Sequence, residues 1–475
     1  MKKTLIAACV GAAGQAMAQV PETRLEHVLV TMPIHKKAAE TALPVTVLSG
    51  EELRRLTSST LGETLGDKPG ISNSSFGPGV GRPVIRGQAG PRTINLSNGI
   101  AAADVSSLSP DHAVSIEPML AESVEVLRGP ATLLYGGGAI GGVINVRDNR
   151  IPGQRIEGVQ GAVEYRYDDA PEMDTGVLKL EAGAGDFAFH VSGTFRDFED
   201  TSIPGLAIDE AAVEMQEELL GGGHGEEHDE DHEEEELENS DGFIANTDGD
   251  SDVFTMGGSY HFGEKNFVGL AYNSFKTNYG IPPGAHEHGH DDEHGEEHGE
   301  EEHEGEEHEH GDEEENIRID LKQERYDAQL HLHDLLPGLI DAARGFLTYT
   351  DYEHVELEGA EIGTRFDRET YEGRLELVRD GANHGVLGLQ WRADEFEAVG
   401  DEAYVPQTDS SEWGVFYVQD FHAADWHFEL GGRADYVERD PATGSAEDFT
   451  SFSLSASGLY NISPAWNLGV SLSRA

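Results

Sequence analysis

The chain has 475 residues, with 91 Asp and Glu against 32 Lys and Arg, for a formal net charge of −59. Such acidity excludes nucleic acid as a partner, because binding phosphate needs a basic face. Cys9 is the only cysteine and falls in a predicted leader. The mature chain then offers no disulfide, thiolate metal site or Cys nucleophile. No internal stretch approaches the ~18 uninterrupted apolar residues that a membrane-crossing helix needs.

Residues 1–18 read as a secretory signal peptide. Lys2 and Lys3 precede an apolar run from Leu5 to Val10, and Ala16-Met17-Ala18 gives an A-x-A cleavage site before Gln19. A lipidation box at Ile6–Cys9 is the rival, but only about three apolar residues precede the cysteine, short of an h-region of ~7–15. Residues 19–40 form an N-terminal segment, and 41–150 read as a small α/β unit. In it Val45–Leu48 is strand-like, and Ser49-x-x-Glu52 opens a helix to about Leu56 as a capping box. Thr57–Leu65 predicts a second short helix, Val124–Leu127 a strand, and Gly136–Gly142 a glycine-dense turn.

From Gly158 onward the pattern becomes period two over long segments. Val268, Leu270 and Tyr272 share one face; Tyr371, Leu375 and Leu377 oppose Glu372, Arg374 and Glu376; Trp426, Phe428 and Leu430 oppose His427, Glu429 and Gly431. One apolar and one polar face over ~10 residues predicts an antiparallel transmembrane β-barrel rather than a soluble sandwich, whose strands are usually shorter. About thirteen strands are expected over 151–475: near 159–167, 175–184, 187–197, 253–262, 267–278, 317–333, 341–357, 364–378, 385–398, 412–423, 426–438, 449–461 and 466–475. Tight turns such as Gly185-Asp186 alternate with long connections at 198–252 and 279–316, which assigns turns to the periplasm and loops to the exterior. Thirteen strands without a closing segment predict an incomplete barrel.

The two long loops have an extreme composition. Asp209–Asp252 holds 19 acids and no base, with His224, His228 and His232; Glu287–Glu315 holds 17 acids and no base. Around the second run His286, His288, His290, His294, His298, His303, His308 and His310, so eleven of the 22 histidines sit in two loops. Acid runs alone are ordinary solvated loops. Imidazoles among them are a metal-binding composition, and an N/O donor set without thiols fits Zn(II), Ni(II) or Cu(II) better than Cu(I). Such tracts concentrate cations through interchangeable ligands.

Arg82-Pro83-Val84-Ile85-Arg86-Gly87 and the run Val124–Val146, with Arg128-Gly129-Pro130 and the glycines near 136–142, resemble the plug of TonB-dependent outer-membrane receptors. The resemblance implies a 22-strand barrel filled by an N-terminal plug, set in the outer membrane of a Gram-negative bacterium. It makes Glu26-His27-Val28-Leu29-Val30-Thr31 the TonB box, with TonB and its ExbB–ExbD complex as energy-coupling partners. Ser109-Pro110-Asp111-His112-Ala113 and the His-rich loop look like the zinc-uptake receptors of that family. There a plug Asp-His pair, a barrel carboxylate and a later histidine bind zinc, which implies Asp111, His112 and Glu356 as ligands, the later histidine lying past Ala475. Period two places Tyr352, His354 and Glu356 on one face and Val355 and Leu357 on the other, so His354 joins the candidates.

The expected function is TonB-driven import of Zn(II), with the metal as cargo and no catalytic cofactor. Copper, nickel or a siderophore chelate is the alternative cargo, although such anionic loops suit an anionic chelate poorly. A passive metal-binding surface barrel is the reading from another class. No nucleophile–base pair, phosphate loop or closed catalytic metal motif points to an enzyme.

Overall fold

The computed structural model describes residues 28–29, 36–37, 45–136, 138–209, 239–283, 316–359, 361–380, 383–401, 403–463 and 466–474. The leader, Glu26, His27, Val30, Thr31 and all eleven tract histidines lie outside the described residues. Of the TonB-box segment, Val28–Leu29 form a two-residue strand antiparallel to Lys36–Lys37.

Two parts make the fold. The first carries a five-stranded sheet in the order Val45–Ser49, Ser123–Leu127, Gly142–Arg147, Thr93–Ser97, Ile100–Ala101. All its pairings are antiparallel except that between Thr93–Ser97 and Gly142–Arg147. Helices Gly50–Leu56 and Leu61–Leu65 pack on it through Leu53, Leu61 and Leu65. The first helix begins where the capping box predicts, but Ser49 makes no side-chain capping bond; Glu52 is held by Lys68 Nζ at 2.7 Å. The second starts later than expected, capped by Thr60, whose side chain accepts from the Glu63 amide.

The second part is one antiparallel sheet of thirteen strands, in sequence order from Gly158–Asp168 to Trp466–Arg474. Each expected strand is present, most of them extended by one to a few residues, while the last runs over Trp466–Arg474 against an expected 466–475. A hairpin of Thr201–Leu206 and Asp241–Ile244 rises from one long loop, which the alternation did not predict. Not every connection at the loop end is long: those at 169–172 and 359–360 are short.

The alternation is inverted relative to a soluble protein. Leu270, Tyr371, Leu375, Trp426, Phe428 and Leu430 are exposed on the outer face, while Glu372, Arg374, Glu376 and Glu429 are buried on the inner one. What buries them is the first part, seated inside the curved sheet as a plug. Leu133, Leu134 and Tyr135 pack on Val386, Phe416 and Val418. Guanidinium groups of the strands grip plug carbonyls: Arg374 and Arg433 donate to Leu134 O at 2.8 and 3.2 Å, and Arg325 to Ala101 O at 2.8 Å. Charged pairs add to this, Arg150–Asp327 at 3.0 Å and Arg196–Glu117 at 3.1 Å.

Aromatic rings gather at both ends of the outer face. Trp426 packs on Tyr460 and Phe428 near the turns, and Trp391 and Trp413 lie beside one another in register with Tyr436 further up. Between Trp426 and Tyr436 the outward positions are Phe428, Leu430, Gly432 and Ala434; beyond Tyr436 comes exposed Glu438. This predicts a positional cost for charge. In the full-length receptor folded into lipid vesicles, Leu430→Arg should lower the folding free energy by about 2–4 kcal/mol, and Glu438→Arg by under about 1 kcal/mol. Denaturant titration reads the difference; equal effects would mean this face does not meet lipid.

Candidate metal site

The loop from Ala102 to Glu117 crosses the top of the plug buried at 102–106 and 111–117, with Leu108 and Pro110 exposed between. Its course is set by clamps from both parts. Arg82, from the first plug motif, reaches under it and donates through Nη1 to Ser106 O and, at 2.6 Å, to Ser109 O. From the barrel, Gln323 Nε2 donates to Ala102 O at 2.9 Å and Arg368 Nη1 to Asp104 O at 2.8 Å. These two bracket Ala103, whose φ of 60° is a left-handed conformation that an alanine seldom adopts. The Asp104 carboxylate closes the loop on itself by accepting from Ser106 and Ser115. Tyr279, on the strand Asn266–Gly280, accepts from Ala113 N at 3.0 Å and donates to Asp111 O at 3.1 Å. Gly79 lies against that ring so closely that a Cβ there would stand 2.7 Å from Tyr279 Cβ.

So held, the loop drives His112 against the strand Ile340–Glu358, where His354 and Glu356 point inward. His112 Nε2 stands 2.8 Å from Glu356 Oε1. His354 Nε2 faces the same oxygen at 3.3 Å, though not along a hydrogen-bonding direction, and its Nδ1 meets Tyr352 Oη at 3.1 Å. One ligand atom from each of His112, His354 and Glu356 falls within 4.8 Å of the others, and all three residues are buried. Phe366 closes the apolar side, 5.3 Å from the His112 ring and 5.4 Å from the His354 ring.

The hydrogen bonds fix the electrostatics. His112 Nδ1 faces Val105 O at 3.2 Å, and a carbonyl only accepts, so this contact is satisfied by the Nδ1–H tautomer or by the imidazolium. A neutral ring in the Nδ1–H tautomer aims the Nε2 lone pair at a carboxylate oxygen across 2.8 Å of buried space, and one in the Nε2–H tautomer turns its Nδ1 lone pair on Val105 O instead. Either contact is repulsive unless a proton or a metal cation lies between the two atoms. Burial alone would depress the His112 pKa, but the hydrogen bond to Glu356 and the charges of Asp111 and Glu356 outweigh it and hold it above the ordinary imidazole value. The arrangement gathers two imidazoles and one carboxylate, split between plug and barrel, as a buried group that could hold a metal ion.

Of the sequence candidates, the structure brings together His112, His354 and Glu356. The Asp111 carboxylate, next along the loop, lies outside that group and accepts from Ser109 Oγ. The histidines 224, 228, 232, 286, 288, 290, 294, 298, 303, 308 and 310 fall outside the described residues. Tyr352 was visible by its period with His354. Arg82 was visible as part of the first plug motif but not as a clamp on this loop, and Tyr279 and Phe366 carried no local signal.

A curved antiparallel sheet of thirteen strands around an inserted plug defines the plugged β-barrel class. The TonB-dependent receptor plug domain model matches residues 37–143, and the TonB-dependent receptor-like β-barrel model matches 233–475, over half the chain. The chain belongs to the TonB-dependent receptors, a family of transporters in the outer membrane of Gram-negative bacteria. Similar solved structures include the copper transporter OprC, at 15% identity and TM-score 0.66, covering 88% of this chain and 61% of that one. The FrpB iron transporter from Neisseria meningitidis (F3-3 variant) matches at 12% and 0.63, over 90% and 64%. The alcaligin receptor FauA from Bordetella pertussis matches at 13% and 0.58, over 92% and 64%. At these identities the likeness is one of fold, and the chain spans about three fifths of the length of these structures.

Arg82 gives a test of how the loop is held. Arg82→Gln removes the charged donor to two buried or half-buried carbonyls, and a charge-assisted bond is worth about 1.5–3 kcal/mol. Hydrogen exchange of amides in 104–116 should then quicken by about tenfold or more in the full-length receptor. Unchanged exchange would show that the barrel clamps alone suffice.

Proposed function

We propose that this receptor imports a divalent metal ion, Zn(II) first, with energy relayed by TonB and ExbB–ExbD from the inner membrane. The observation that carries the reading is the His112–Glu356 contact, a buried imidazole nitrogen 2.8 Å from a carboxylate oxygen, joined by His354 on the same side. Two imidazoles and a carboxylate are a zinc donor set, and zinc prefers a fourth ligand in a tetrahedral arrangement. Asp111 or a group from outside the described residues supplies it. The acidic His tracts gather cations, and the buried site selects among them. Because the site spans plug and barrel, occupancy ties the loop to the wall and is signalled to the Glu26–Thr31 segment, on which TonB pulls.

Copper is the second reading, favoured by the likeness to a copper transporter and by a donor set that also accepts Cu(II). Competition of Cu(II) and Ni(II) against radiolabelled zinc uptake ranks the three. A passive barrel is distinguished by deleting residues 26–31, which should abolish uptake and leave surface binding intact.

At matched expression of the full-length receptor, His112→Ala and Glu356→Ala should each cost most of the zinc uptake. His298→Ala, one of many imidazoles in its tract, should cost almost none. Equal small effects would remove the defined site and leave only diffuse capture.

The sign of the pH dependence also follows. Without metal, the His112 proton holds the contact, which is complete below the ordinary imidazole range and lost as pH rises through the elevated His112 pKa. Zinc replaces that proton, so binding at this site releases about one proton at low pH and progressively fewer above the pKa. Calorimetry in buffers of different ionisation enthalpy reads the release. The component missing from His112→Ala should carry this dependence; a component flat in pH would rule out the imidazole as ligand.

A further inference from the structure

Nine histidines fall among the described residues, and only His112 and His354 belong to the site above. The other seven all lie at the opposite, turn end of the barrel. His190, His261, His331 and His333 take inward positions on three strands close to their tight turns. His384 sits in the connection after Arg379, and His422 and His427 flank the turn at Ala424-Asp425. Elsewhere the inner face is lined with guanidinium–carboxylate pairs such as Arg325–Asp327, Arg374–Glu376 and Arg433–Asp435. Towards the turns, imidazole takes over.

The last three are drawn into a cluster. His422 and His427 are directly opposite in register, with ring centroids 4.3 Å apart. His384 and His422 rings are 6.0 Å apart. Asp420 N donates to His384 O at 2.8 Å, which fixes His384 against this strand. The Asp420 side chain faces inward, fully buried, with Oδ2 3.8 Å from His422 Nε2. His384 Nδ1 is itself buried and makes no hydrogen bond, with Asp380 Oδ1 standing off at 3.7 Å. Just above, Leu133 of the plug reaches towards Val418 and Gly431, so the cluster lies directly beneath the plug.

We propose that His384, His422 and His427, with the Asp420 carboxylate, form a second site for a borderline divalent cation at the turn end of the barrel. Three imidazoles and a carboxylate satisfy the N/O preference of Zn(II), Ni(II) and Cu(II). The donors are more widely spaced than in the upper site and close on the ion by side-chain rotation, so the site is the looser of the two. Its role as a relay for metal leaving the plug rests on the transport reading; the binding itself does not.

The test is anomalous diffraction from crystals of the full-length receptor, with data on either side of the zinc absorption edge and zinc raised stepwise. The expected result is a peak among His384, His422 and His427, absent from the His422→Asn/His427→Asn receptor, whose peak at His112 is retained. No peak at the turn end of the unaltered receptor overturns the proposal without recourse to any variant. A peak that survives the double substitution also overturns it, since the ion then rests on other groups. A turn-end peak with none at His112 would uphold this site and sink the upper one, so the two ideas fail separately.

Discussion

The contact between His112 Nε2 and Glu356 Oε1 is the constraint around which the plug top is arranged. A buried carboxylate is costly without a partner, and an imidazole nitrogen at hydrogen-bonding distance is a partner only when it carries hydrogen or shares a metal cation with it. The neighbouring groups serve that requirement. Val105 O fixes which ring nitrogen carries hydrogen, Phe366 keeps water off one side, and Tyr279 and Arg82 hold the loop that delivers His112. Because one partner belongs to the plug and the other to the barrel, the charge state of this contact is also a statement about how firmly the two parts are joined.

Elsewhere the barrel holds its plug differently. The guanidiniums of Arg325, Arg368, Arg374 and Arg433 all reach backbone carbonyls of plug segments. A carbonyl released from such a bond can be hydrated, whereas a stranded buried carboxylate cannot be left bare. A pull on the plug can therefore break these grips one at a time with water replacing each. The contacts that resist are the charge pairs Arg150–Asp327 and Arg196–Glu117, together with the buried His112–Glu356 pair.

The thirteen strands were legible because a lipid-facing strand must alternate for ten residues or more, and that period survives in the sequence as pairs such as Tyr371–Glu372 and Leu375–Glu376. The Thr201–Leu206 hairpin was not, since it pairs irregularly inside an acid-rich loop where composition masks period. Ser49 and Glu52 satisfy the spacing of a capping box, yet Lys68, sixteen residues away from Glu52, claims that carboxylate. At the site, His354 and Glu356 could be placed on one face from spacing alone, but their meeting with His112 spans 244 residues and has no local signature. The turn-end histidines were invisible for the same reason. Each is a single polar residue, on an inward strand position or, for His384, in a connection, and only the sheet gathers them.

The aromatic residues on the outer face carry a further consequence, for membrane thickness. Trp426 and Tyr436 lie ten residues apart on one strand, with only apolar or small outward residues between them and Glu438 just beyond. At about 3.3 Å per residue and a tilt near 40°, that separation corresponds to a height of about 25 Å along the barrel axis. Indole and phenol rings settle at the boundary between hydrocarbon and head groups, so the protein measures out a bilayer thinner than the ~30 Å average. A thicker membrane would have to compress around this wall or leave its rings submerged, a mismatch that favours thin bilayers over thick ones.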